Sequence, residues 1–225
     1  MHPAAGRRVG AGDEPRSGTL GGMNIEVFAD IWCPFTHVGL RAVAEQRQAA
    51  GRGDLGIVVR SWPLELVNGE PMDRHKAQHH ADDLRAQVSP GLFADLDVEH
   101  FPTSTIDALA FVVRAYRSGV TFGERASFAL RDALFEHGRD ISDPAVLQEI
   151  ADELGVGMPD DRDRDAVRAD WEEGKQRGVQ GSPHFFYGDL GVFCPSLSIT
   201  RDESGLTIVA DRERFDAFLQ QCLSA

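Results

Sequence analysis

The sequence predicts an α/β fold in which one sheet-centred domain carries a large all-helical insertion. Three observations predict it. Strand patterns occur only near the two ends of the chain. Between Met72 and Gly178, about a hundred residues are helical in pattern with no strand among them. The chain then closes on an amphipathic helix. A length of 225 residues suits one large domain, or one domain with an inserted subdomain, and is enough for a sizeable core without disulfide staples.

In chain order, Ile25, Val27 and Ala29 belong to a short β-branched run that ends at Asp30 and reads as a strand covered on both faces. A helical pattern follows Trp32-Cys33-Pro34-Phe35-Thr36 and continues to about Ala50, with Phe35, Val38, Ala42 and Val43 on one face. Pro34 suits the first turn, where its missing N–H would have no partner. Leu55 to Trp62 reads as a second strand stopped by Pro63, which makes a parallel strand-helix-strand unit with a right-handed crossover. Helices are predicted over Asp73 to Gln87 and Ser104 to Arg117, and then from a Thr121/Glu124 capping box to His137. Another is capped by Ser142, and Asp160 to Lys175 is a charged helix with Val167 and Trp171 inward. His184 to Tyr187, Val192 to Thr200 and Leu206 to Val209 read as strands joined by Gly188-Asp189 and Ser204-Gly205 turns. Arg212 to Leu223 is the closing helix, with Phe215, Phe218, Leu219 and Cys222 inward.

The composition is that of a globular chain, at 42% hydrophobic and 26% charged, and excludes collagen-like or wholly disordered classes. With 36 acidic against 23 basic side chains the formal charge is -13, which repels nucleic acid and anionic membranes; neither is expected as a partner. Apolar runs such as Ala108 to Val113 are too short to span a bilayer. Residues 1–22 contain Arg7, Arg8 and Arg16 but no apolar centre of a secretory signal, so the expectation is a disordered tail on a cytoplasmic protein, with Met23 a candidate start. The cysteines Cys33, Cys194 and Cys222 are odd in number and far apart, which is not a disulfide framework.

Cys33 stands where a strand meets a helix. Unpaired backbone N–H groups and the helix dipole favour negative charge there, so the sequence predicts a thiol that ionises more readily than a free cysteine. The alternative is a small apolar filler.

The strand, the Asp30-Ile31-Trp32-Cys33-Pro34-Phe35 turn, the helical insertion and the Val179-Gln180-Gly181-Ser182-Pro183-His184-Phe185-Phe186 segment together resemble the DsbA-like thioredoxin-fold family. The likeness is closest to FrnE-like cytoplasmic oxidoreductases, which are related to 2-hydroxychromene-2-carboxylate isomerases and kappa-class glutathione transferases. Arg60 to Leu66 and Gly138 to Asp143 add to it, and it spans residues 24 to 223. The resemblance implies a thioredoxin fold with the insertion between its βαβ and ββα halves. Residues 23–70 and 179–225 would form the thioredoxin-like domain and 71–178 the helical insertion. It further implies Cys33 as nucleophile and a cis bond between Ser182 and Pro183 facing it, with the Ser182 backbone offering hydrogen bonds to a bound peptide or thiol; the expected substrate contacts are Trp32, Pro34, Phe35, Trp62, Ser182 and Pro183.

One departure matters. Dithiol members carry Cys-x-x-Cys, whereas the fourth position here is Thr36, so the motif cannot resolve a mixed disulfide by itself. In one reading Cys33 works as a single active-site cysteine, with Thr36 donating a hydrogen bond to it. Glutathione or another low-molecular-weight thiol is then the co-substrate, and no cofactor is tightly bound. In another, Cys194 or Cys222 resolves the intermediate. In a third, the site is a glutathione-dependent isomerase or transferase. A non-catalytic peptide-binding module remains a further alternative. Expected partners are a small thiol or a disulfide-containing protein or peptide, with a homodimer left open.

Other candidates are bland. His75, His79 and His80 share one helix with Asp82 and Asp83, but no motif supplies a complete zinc set, and no metal is expected. His37 either supports a thiolate or packs at the helix surface, and His184 points to either face. Trp32 and Trp62 form an aromatic wall or belong to the core.

Overall fold

Alternation of apolar residues over Ile25–Ala29 produces β1, the central strand to which both halves of the chain are joined. The computed structural model describes residues 24–203 and 205–224; the predicted tail 1–22, Met23 and Ser204 of the predicted turn lie outside the described residues. After β1 come α1 (Pro34–Ala49), β2 (Ile57–Ser61), α2 (Leu64–Asn68) and α3 (Arg74–Gln87). A short 3-10 turn at Val98–His100 leads to α4 (Ile106–Tyr116), α5 (Val120–Phe135), α6 (Pro144–Leu154) and α7 (Asp161–Gln176). The chain returns as β3 (His184–Tyr187), β4 (Leu190–Phe193), β5 (Leu197–Asp202) and β6 (Gly205–Ala210), and ends on α8 (Arg212–Leu223).

The main sheet has the order β2-β1-β3-β4, with β1 parallel to β2 and the other pairs antiparallel. This is the thioredoxin arrangement, with all of α2 to α7 between its two halves. Val27 aligns with Val59 on one side and Phe185 on the other. Those side chains face α1 and α8, where Leu40, Val43, Phe218 and Cys222 complete one core layer. Phe28, Trp62 and Phe186 form the opposite face under α7. The buried face of α1 includes Thr36, His37, Gly39 and Leu40, so the predicted stripe is displaced; Phe35 and Ala42 are only partly buried.

The insertion closes the outer edge of β2 with side chains. Ile57 N donates to Glu124 Oε2 at 3.2 Å, Val59 N to the Tyr116 hydroxyl at 2.8 Å and Ser61 N to Asp170 Oδ2 at 3.0 Å. The Tyr116 hydroxyl donates in turn to Ile57 O at 3.0 Å. Each is a buried backbone group that would otherwise lack a partner. Gly123 permits this, because a Cβ there would lie 2.1 Å from the Tyr116 ring. Gly174 does the same on α7, where a Cβ would meet Trp62 at 2.6 Å.

Three local expectations are corrected. The Thr121/Glu124 capping box does not form: Gly119, at φ 131°, precedes α5, and Glu124 instead binds Arg47 and the β2 edge. Asp143, not Ser142, caps α6, because Pro144 takes the first helical position; the Ser142 hydroxyl donates to Asp140. The strand predicted over Val192 to Thr200 breaks at Cys194, which has φ 44°, and at Pro195, which has no N–H for a ladder. As a result β5 leaves the main sheet and pairs with β6 as a separate hairpin, docked on α3 through the Gln87 side-chain amide (Ile208 N to Oε1 2.8 Å, Nε2 to Leu206 O 3.1 Å). On α7 the inward side also carries Asp163 and Asp170, which pair with Arg117 and Arg60.

Replacing Tyr116 by Phe leaves the Val59 amide without its partner. The expected result is a loss of roughly 1–3 kcal/mol of stability, read as a lower urea midpoint at unchanged m-value. An unchanged midpoint would show that the hydroxyl does not support the strand edge.

Candidate active site

Cys33 occupies the N-cap position of α1, in extended conformation (φ -82°, ψ 110°), with Pro34 as the first helical residue. Everything around its sulfur converges on Ser182, in the loop that enters β3 across a cis Ser182–Pro183 bond. Cys33 Sγ donates to the Ser182 carbonyl at 3.1 Å. The Ser182 hydroxyl accepts from Asp30 N at 2.9 Å and shares a 2.8 Å hydrogen bond with the Thr36 hydroxyl. The three residues are 146 to 152 positions from Ser182 in sequence.

The electrostatics differ from the sequence expectation. Cys33 is 3% exposed, and burial pushes its thiol above the ordinary value. The Thr36 and Ser182 hydroxyls and the Thr36 amide pull it back only in part, and the Asp30 carboxylate adds to the rise. The resting site therefore holds a protonated thiol, because desolvation outweighs the helix N-terminus. Asp30 is also fully buried, which raises it to about 6 against the Leu64 amide, the nearby Thr105 hydroxyl, the Ile31 amide and the Arg131 charge. Arg131, likewise buried, is lowered by desolvation to about 10 and stays cationic at neutral pH, with Asp30 and Cys33 both acting to raise it. Its guanidinium donates to Asp30 O at 2.9 Å and to the Ser127 hydroxyl at 2.9 Å. Asp30 Oδ1 and Arg131 Nε have no hydrogen-bond partner among the described residues. A buried cation thus lies within the field of Cys33 and favours its thiolate once that forms.

Beside Ser182 opens a cleft of about 280 Å³ lined by Phe35, His80, Phe193, Cys194, Ile199, Arg201 and Leu206 together with Ser182. Burial lowers His80 to about 4, so it is neutral, and its ring lies 5.2 Å from that of Phe35. Of the sequence-predicted residues, Cys33, Thr36 and Ser182 come together, Pro34 and Pro183 are buried beside them, and Phe35 lines the cleft. Trp32 and Trp62 do not line it. Trp32 is fully buried and stacked on Phe101 at 6.1 Å, and Trp62 sits under α7 on the opposite face of the sheet. The aromatic lining comes instead from Phe35 and Phe193.

His37 is not at the helix surface: it is fully buried, with Nε2 2.6 Å from Glu136 Oε1. Burial tends to raise Glu136, but His37 and the Phe93 and Ala94 amides outweigh that and bring it to about 2. His184 stacks on Phe186 and accepts from Gln180 N at 3.1 Å, a structural role. His75 and His79 are exposed on α3, and no group of three or more His, Cys, Asp or Glu that could hold a metal ion occurs among the described residues. Cys222 belongs to the core beneath α8, where burial pushes its thiol up to about 12. A larger cavity of about 740 Å³ between α1, residues 88–92 and α8 does not include Cys33 or Ser182. Sequence reasoning missed Phe193, Ile199, Arg201 and Leu206, and weighed His80 only as a metal ligand. Nothing local marks them, because they meet only when the β5–β6 hairpin docks on α3.

The family model of the DSBA-like thioredoxin domain matches residues 24–219. Among curated proteins no match was found. Among solved structures, the probable DsbA oxidoreductase from Streptomyces coelicolor is similar at 25% identity, with a TM-score of 0.62 over 90% of this chain and 91% of that one. The cytosolic disulfide reductase DsbM from Pseudomonas aeruginosa shares the fold at 17% identity, with a TM-score of 0.58 over 90% of this chain and 100% of that one. A 2-hydroxychromene-2-carboxylate isomerase shares it at 14% identity, with a TM-score of 0.50 over 76% of this chain and 88% of that one.

Thr36→Val removes a hydroxyl that stabilises the Cys33 thiolate. Alkylation of Cys33 by iodoacetamide at fixed pH should slow by about tenfold, the equivalent of ~1.4 kcal/mol; an unchanged rate would remove Thr36 from the site. Asp30 makes a separate pH-dependent contribution. Its folded value of about 6 lies above the ordinary 3.8, so its stabilising effect is complete below about pH 3.8 and is lost as pH rises through 6. The stability difference between the native chain and Asp30→Asn should therefore shift by roughly 2 kcal/mol in favour of the variant from pH 4 to pH 7. Denaturation curves showing a constant difference would refute it.

Proposed function

The chain belongs to the DsbA-like thioredoxin-domain family, and on that premise we propose that it is a thiol-disulfide oxidoreductase with Cys33 as its single active-site nucleophile and a small thiol as co-substrate. The observation that carries this reading is Cys33 at the start of α1, hydrogen-bonded to the Ser182 carbonyl, with a threonine where a dithiol motif has its second cysteine.

In the resting site the protonated Cys33 thiol donates its hydrogen bond to the Ser182 carbonyl. An incoming disulfide that takes over this carbonyl through a backbone N–H frees the thiol to ionise. The Thr36 hydroxyl and the cationic Arg131 then stabilise the thiolate as it forms. Thiolate attack on one substrate sulfur breaks the S–S bond and expels the other half as a thiolate, leaving a mixed disulfide on Cys33. A small thiol attacks the substrate-derived or glutathione-derived sulfur of that bond and returns Cys33 to the thiolate. These two steps exchange the substrate disulfide and one small thiol for a free thiol and a mixed disulfide of the other half with the small thiol. A second small thiol attacking that mixed disulfide releases the half as a thiol, so that one disulfide is reduced and two small thiols leave as their own disulfide. Glutathione is the first co-substrate to test; the DsbM disulfide reductase of the same fold has been solved with GSH. The reading places the protein in the cytoplasm, where such thiol pools are maintained. No described helix is long and apolar enough to cross a membrane.

The aromatic cleft, with Phe35 and Phe193 on its walls, favours a second reading: a glutathione-dependent isomerase or transferase acting on a flat substrate, with the Thr36–Ser182 hydroxyl pair holding the thiol.

Turnover of a glutathione mixed disulfide decides between them. Cys33→Ser should abolish it, by at least a hundredfold, while leaving the fold intact by circular dichroism. Equal activity in the variant would sink the redox reading, and thiol-dependent turnover of an aromatic substrate by the same variant would support the second. Peptide binding unchanged by Cys33→Ser, without turnover of either kind, would leave only a binding module.

A further inference from the structure

Cys33 and Cys194 are presented by adjacent links of one segment. Cys33 Sγ donates to the carbonyl of Ser182, and Cys194 N donates to the carbonyl of the next residue, Pro183, at 3.0 Å. Cys194 lines the same cleft as Ser182 and Phe35, and burial first and the Cys33 charge second oppose its ionisation. Cys194 also has φ 44°, a left-handed conformation unusual for a side-chain-bearing residue. Arg214 holds this bend from outside by donating to Cys194 O at 2.9 Å and to Leu197 O. Cys194 is 2% exposed and borders the cleft, whereas Cys222 is fully buried in the separate core layer under α8.

Resting on the redox reading above, we infer that Cys194 is a second reacting thiol of this site, which captures a mixed disulfide at Cys33 when small thiol is scarce. In that step the Cys194 thiolate attacks Cys33 Sγ. The Cys33–substrate S–S bond breaks, a Cys33–Cys194 bond forms, and the substrate leaves as a thiolate that takes up the proton from Cys194. Together with the first attack, one external disulfide is reduced to two thiols and the two protein thiols are oxidised. Two equivalents of a small thiol restore them and leave as their own disulfide. Bond closure requires the two Cα atoms to stand about 4.4–6.8 Å apart, and any adjustment it needs falls on the Cys194–Ser196 break between β4 and β5, against the hydrogen bonds that Pro183 and Arg214 make to Cys194. Burial pushes the Cys194 thiol up to about 12, so capture is slow beside attack by abundant small thiol and serves as a second exit.

The test uses the full chain, reduced and freed of small thiol, with one equivalent of 5,5′-dithiobis(2-nitrobenzoate). The native chain should release two thionitrobenzoates, and peptide mapping should find Cys33 joined to Cys194. Cys194→Ser should release one and retain the other on Cys33; Cys194→Ala serves if the serine variant misfolds. Cys222→Ser should behave as the native chain does. A mixed disulfide that persists on Cys33 of the native chain, with Cys194 free, overturns this inference and leaves the reading of Cys33 standing. A Cys33 that never reacts overturns both.

Discussion

The structure depends on one side chain, Ser182, which ties the end of β1 to the start of α1 across the full length of the insertion. Its hydroxyl accepts from the Asp30 amide and meets the Thr36 hydroxyl, while its carbonyl receives the Cys33 thiol. Three polar groups that would be stranded by burial are thereby satisfied by one residue, and the turn between them is held in a single arrangement. The same bonds set the local electrostatics, because they hold the Cys33 thiol against the Ser182 carbonyl in a buried turn.

Burial at this point is the work of the insertion. Its helices cover Ile31 and Trp32 within the large core, and α5 brings Arg131 under the turn. The outer edge of β2 is sealed by Glu124, Tyr116 and Asp170, so the insertion is bonded to the sheet rather than merely resting on it. With water excluded, Asp30, Cys33 and Arg131 feel one another strongly. The carboxyl rises toward neutrality, the thiol is held protonated, and the guanidinium remains as the positive charge in reserve. A site arranged in this way keeps its thiol protonated and hydrogen-bonded to the Ser182 carbonyl.

Thr36 gives the site its character. A hydroxyl at this position supports a thiolate but cannot attack a mixed disulfide, so the second half of any exchange has to come from outside the motif. The cleft between Ser182, Phe35 and the β5–β6 hairpin opens beside this site. Its walls are largely apolar, and His80 is neutral there, which leaves Arg201 as its charged lining side chain.

Most of the fold was legible because its signals are local. The β-branched run of β1, Pro34 at the start of α1 and the helical periodicity up to α7 each declare themselves within a dozen residues. Cys33, Thr36 and Ser182 were legible as a resemblance carried by two short segments. Exchange of one cap for a neighbouring residue, as at Asp143, lies at the limit of such reading. What the tertiary structure alone decided is everything that depends on distance in sequence. The broken strand at Cys194 frees a hairpin to wall the cleft, Trp32 and Trp62 go to the core rather than the site, and His37 is enclosed by Glu136. The ionisation of Cys33 belongs to this class as well. A helix N-terminus is written in the sequence and lowers a thiol's pKa, but desolvation comes from side chains a hundred residues away, and in a buried site it is the larger effect.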